Sequence, residues 1–150
     1  MNAPLPTSVD AYRAALLGQL YGIMSWAQLS AFWEKVDTEA DWFVYAVGET
    51  PPTVASTPFE VKNFLTKIDA LLRKEHEEDY CGIVYADDLE HPSFVKIYDP
   101  NHLGSSCGSS KTPPVPGWTL SRMPPTEIVT TIIAQNRRRW WQSFLDSLRG

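Results

Sequence analysis

The chain has little of what would let a sequence announce its chemistry. Only two cysteines occur in 150 residues, Cys81 and Cys107, too few for the cross-linked framework of a small secreted domain. No run of about 18 apolar residues is present to cross a membrane. The opening Met1-Asn2-Ala3-Pro4-Leu5-Pro6 lacks the basic-then-apolar pattern of a secretory signal. Together these features point to a soluble, cytoplasmic protein. Basic residues are outnumbered, 13 Lys and Arg against 18 Asp and Glu, for a net charge of −5. Nucleic acid is therefore a disfavoured partner, because such binding draws its affinity from a basic surface set against phosphates. No internal repeat appears, and no complete catalytic or metal-binding motif.

What is there fits one domain spanning 1–150. A chain of this size buries roughly 68–70% of its unfolded surface, so no disulfide or metal staple is required. Hydrophobic residues make up 43% and charged residues 21%, the balance of a globular protein rather than a disordered one. Six tryptophans are present; a core of this size can hold some of them as buried or half-buried residues, and the number raises the prospect that at least one helps form a binding surface.

Residues 1–7 read as a flexible lead. Ser8 is placed to cap a first helix, with Tyr12, Leu16, Leu17, Leu20 and Tyr21 along one face and Gly22 at its end. Ser25 and Gln28 have the spacing of a capping box, and Trp26, Leu29, Phe32, Trp33 and Val36 continue a second helix. Asp41 to Val47 is aromatic and β-branched, apolar on both faces, and reads as a central strand. Thr57, Pro58 and Glu60 then open the clearest helix, with Val61, Phe64, Leu65, Ile68, Leu71 and Leu72 as its stripe. Tyr80 to Ala86 and Ser93 to Asp99 form a hairpin, Trp118 to Met123 a last strand, and Thr126 to Leu148 a final helix. The fold class is α+β: a mixed, mostly antiparallel sheet of about four strands with helices packed on it, in the order α-α-β-α-β-β-β-α.

Two segments compete to carry function. From 100 to 117 the chain is a long Gly/Ser/Pro-rich loop, and loops of that length are functional or mobile. Lys111 and Thr112 after Gly108 superficially suggest a phosphate cradle, but Pro113 and Pro114 oppose the helix such a cradle needs. Cys107 sits among small residues, with His102 and Asp99 in the same stretch as a candidate base and its orienter. Cys81 is better read as a small buried hydrophobe. His76, His91 and His102 add donor atoms without chelating spacing, so no metal or other cofactor is expected. Asp87, Asp88 and Glu90 fall in a turn, where aspartate serves local hydrogen bonds.

The other segment is Arg137-Arg138-Arg139-Trp140-Trp141. Successive helical positions lie about 100° apart, so both tryptophans cannot point to the core centre. Arginine and tryptophan are the residues that dominate interface energetics. The leading expectation is therefore a non-enzymatic protein-interaction module, an adaptor or assembly factor whose partner is another protein, binding through Arg137 to Trp141. The alternative is a thiol-dependent enzyme or redox protein centred on Cys107.

Overall fold

The computed structural model describes residues 8–76, 78–100 and 116–126. Helices are α1 (Ser8–Leu17), α2 (Trp26–Trp33) and α3 (Pro58–Glu75); strands are β1 (Tyr21–Ile23), β2 (Phe43–Ala46), β3 (Val84–Ala86), β4 (Phe94–Ile97) and β5 (Trp118–Ser121). The expected final helix and the loop between 101 and 115 lie outside the described residues.

All five strands join one sheet in the order β1-β3-β4-β5-β2. Every pairing is antiparallel, so the chain is α+β with five strands where about four were expected. The added strand is β1. The sequence pattern places Tyr21 and Gly22 at the end of the first helix, which in the structure stops at Leu17. At Gly18 the amide turns back to the Ala15 carbonyl at 3.3 Å, a Cβ would stand 2.9 Å from the Ala14 carbonyl oxygen, and the chain leaves for the sheet. The second difference is β2, expected at the sheet centre and found at an edge. Its run of buried residues reflects cover on both faces rather than neighbours on both sides.

That cover comes from different helices. On one face α2 and α3 pack Leu29, Phe32, Val61, Phe64, Ile68 and Leu72 against Val44, Val84, Val95, Ile97, Trp118 and Leu120. On the other, α1 sets Tyr12 against Tyr45, Val47 and Phe94, and the Tyr12 hydroxyl shares a 2.7 Å hydrogen bond with Thr119 Oγ1. The strand period of two divides the residues in this way, Phe94 to the α1 face and Val95 to the α2–α3 face.

Local sequence chemistry fixes the helix starts. At α3 the capping box is complete: the Glu60 amide donates to Thr57 Oγ1 at 3.2 Å, and the Thr57 amide to Glu60 Oε1 at 2.8 Å. At α2 only half of it forms. The Gln28 amide donates to Ser25 Oγ at 2.9 Å, but the Gln28 side chain reaches one residue further back and accepts the Met24 amide at 3.0 Å. This ties the end of β1 to the start of α2.

Candidate interaction edge

The two edges of the sheet are not alike. Beyond β2 the chain returns, and the Ser56 amide donates to the Trp42 carbonyl at 2.8 Å in an antiparallel bridge. Beyond β1 there is no such bridge among the described residues. An uncovered edge is a template for another chain, and proteins ordinarily keep such edges short or hidden. β1 is short, at three residues.

Its position is set from both ends. The chain after α3 docks on it through the Cys81 amide to the Met24 carbonyl at 2.8 Å and the Gly82 amide to the Ile23 carbonyl at 2.9 Å. Gly82 has φ +66°, a left-handed conformation in which a Cβ would also lie 3.2 Å from the Tyr80 ring. Ile23 therefore turns its carbonyl toward β3, and alternation along the strand turns the amide and carbonyl of Gly22 outward. Gly22 itself accommodates Tyr85, whose ring would stand 3.0 Å from an added Cβ.

Large apolar side chains gather here. Tyr21 is 51% exposed, Met24 57% and Tyr80 53%; Tyr21 lies on β1, Met24 directly after it and Tyr80 on the segment docked to it, while the other exposed large hydrophobics among the described residues, Leu17, Val54 and Phe59, lie elsewhere. Next to them is a cavity of about 130 Å³ lined by Ile23, Ala31, Phe32 and Leu89, with Gln28, Lys35 and Glu90 also on its wall. Pockets for drug-sized ligands run roughly 300–1,000 Å³; this smaller one matches a single aliphatic side chain in size.

The scaffold behind the edge is tightly braced. Asp69 on α3 accepts from Trp33 Nε1 with one carboxylate oxygen, at 3.0 Å, and from Arg73 Nε with the other, at 2.9 Å. Arg73 reaches across to the Trp26 carbonyl at 3.1 Å and Ser30 Oγ at 2.7 Å, its guanidinium 5.2 Å from the centre of the Trp26 ring. Trp26 Nε1 donates to the Glu78 carbonyl at 3.0 Å. His76 stands between Trp26 and Tyr80, 5.9 and 6.2 Å from their ring centres.

The acidic residues of the β3–β4 turn are structural, as their turn position suggested. Asp87 accepts the amides of Ser93 and Phe94 at 2.9 and 3.0 Å and the Ser93 hydroxyl. Asp88 accepts the His91 and Glu90 amides at 3.0 and 2.8 Å, which holds its carboxyl below the ordinary range.

Of the residues singled out from sequence, Cys107 and His102 lie outside the described residues, as do Arg137, Arg138, Arg139, Trp140 and Trp141. Asp99 is buried just past the end of β4. Cys81 is fully buried, as its reading as a small hydrophobe anticipated; burial pushes its thiol up, against the opposing pull of the Ile83 and Val84 amides. Among the described residues no group of three or more His, Cys, Asp and Glu is placed to hold a metal, and no helix is long and apolar enough to cross a membrane. Sequence reasoning missed Ile23, Ala31 and Leu89 as a site. One signal was present: Leu89 is a lone apolar residue inside an acidic turn.

In comparison with known proteins, no family model, curated protein or solved structure matches this chain.

Proposed function

We propose that this chain is a non-enzymatic protein-interaction module of the cytoplasm, an adaptor or assembly factor that holds another protein. The observation that carries the reading is the β1 edge, with Tyr21, Met24 and Tyr80 half exposed around it and a cavity fit for one side chain beside it. Tyrosine and methionine are enriched where proteins meet proteins. The exposed halves of the three side chains amount to roughly 100 Å² each. Covering them contributes on the order of 7 kcal/mol, against an association cost of about 4–15 kcal/mol. The balance describes a transient contact unless a second surface adds to it, and the segment Arg137 to Trp141 is proposed as that second surface.

Capture of the bound protein by native chain and variants tests the reading. Replacing Tyr21, Met24 and Tyr80 together by serine weakens capture, and so does charge reversal at Arg137, Arg138 and Arg139 or Trp141→Ala. Capture that survives all of these with undiminished yield overturns the assignment.

A further inference from the structure

Resting on that reading, we infer that the partner is recognised as an extended basic segment that adds a sixth strand to the sheet along β1, with one aliphatic side chain seated in the cavity beside Ile23. Strand addition draws on two components: backbone hydrogen bonds along an open edge, and pockets that take alternate side chains of the added strand. Both are present at β1 among the described residues. Gly22 turns its amide and carbonyl outward, and Ile23, the next residue, lines the cavity together with Phe32, Ala31 and Leu89. A strand laid along Gly22 places every second side chain on the α2 side of the sheet, where the cavity opens.

Backbone bonds from so short an edge are few, so the neighbouring groups decide the partner. They are acidic at both ends of β1. Tyr21 pairs with Ala86, immediately before Asp87 and Asp88, and Met24 is bonded to Cys81, immediately after Glu78, Asp79 and Tyr80. Asp88, Glu78 and Asp79 are exposed and have no lysine or arginine partner among the described residues. Two of the nearby cations are engaged, Lys35 with Glu90 at 3.2 Å and Arg73 with Asp69 at 2.9 Å, and Lys96 lies over the rings of Tyr85 and Tyr98 at 5.5 and 5.3 Å. Lysine or arginine on either side of an aliphatic centre matches this arrangement. The exposed ring of Tyr80 and the Met24 side chain then lie against the aliphatic stems of those residues.

The test uses the full chain labelled with ¹⁵N and three synthetic peptides. The first has a Val-Leu-Val centre between lysine pairs, the second has glutamate for every lysine, and the third has alanine for the central leucine. The lysine peptide is expected to shift the amides of Tyr21 to Met24 and to give backbone-to-backbone contacts with Gly22. The glutamate peptide leaves those amides unmoved, and loss of the leucine weakens binding about tenfold or more. Ala31 is exposed on α2 yet lines the cavity, so Ala31→Leu plugs it without entering the core and weakens the lysine peptide to a similar degree. Glu78→Lys with Asp79→Lys weakens it independently of the cavity. Equal binding of lysine and glutamate peptides overturns the inference, as does unchanged affinity in Ala31→Leu. Shifts confined to another surface overturn strand addition but leave protein binding standing. A concentration-dependent dimer abolished by Ala31→Leu overturns it in favour of a second copy of this chain. Peptides that move no amide, with capture unaffected by substituting Tyr21, Met24 and Tyr80, sink both readings.

Discussion

The amide of Cys81 donates to the carbonyl of Met24 at 2.8 Å, and this bond joins the end of the edge strand to the segment that follows the longest helix. The next amide, that of Gly82, bonds Ile23 at 2.9 Å and needs a left-handed backbone to do so. Gly82→Ala is accordingly expected to cost about 1–2 kcal/mol and to loosen β1 before the rest of the sheet. Denaturant unfolding measures the first effect. Amide exchange at Ile23 measures the second, and exchange there no faster than in the native chain would contradict it.

Asp69 joins α2 to α3 through Trp33 and Arg73. Asp69→Ala leaves a half-buried indole N–H unpaired and releases the guanidinium from its place over Trp26. The expected loss is about 1–3 kcal/mol, more than an exposed ion pair alone supplies. Asp69→Asn keeps an acceptor for Trp33 and is expected to lose less. Thermal unfolding of the two variants separates these contributions.

Tyr12 gives the fold an alkaline limit. Burial raises its pKa from 10.0 to about 12, the Thr119 hydrogen bond lowers it in part, and nearby Tyr45 raises it. A folded pKa above the unfolded one means that the native state holds its proton longer. Stability from this group is thus complete below pH 10 and falls between about pH 10 and 12 as the unfolded chain ionises first, by about 2–3 kcal/mol in all. Tyr12→Phe is expected to lose about 1 kcal/mol at neutral pH through the missing hydrogen bond. It should also show a shallower alkaline decline, and an unchanged alkaline slope would argue against the assignment.

Cys81 should resist alkylation in the native chain, because its thiol is buried and burial disfavours the reactive thiolate. Intact-mass kinetics with iodoacetamide are expected to show one slow site, which reacts freely once denaturant is added. Rapid native labelling at Cys81 would place it at the surface instead.

Much of this architecture was legible in the sequence because several elements carry their own boundary signals. Thr57, Pro58 and Glu60 mark the start of α3 chemically, and Val61 to Leu72 repeat at helical spacing, so the helix could be read without its neighbours. The strands β2 to β5 were legible from their β-branched and aromatic residues, with ends trimmed where pairing partners run out. β1 was not legible, because Tyr21-Gly22-Ile23 is too short to show alternation and its glycine resembles a helix stop. Its strand character comes from Val84 to Ala86, more than sixty residues away. The cavity was hidden for the same reason. Ile23, Phe32 and Leu89 belong to a strand, a helix and a turn, and no local pattern connects them. Asp41 to Val47 at the opposite edge shows the converse: its apolar character on both faces reads as a central strand, whereas the bridge from Trp42 to Ser56 and cover from both faces account for it.

Hydrogen exchange at the Gly22 amide, with and without the lysine peptide, tests the central claim most directly. The account predicts rapid exchange in the free chain, since the outward amide of an edge strand meets water, and marked slowing when the peptide is bound, since the added strand supplies its acceptor. A Gly22 amide that exchanges as fast with the peptide bound as without it would contradict strand addition at β1.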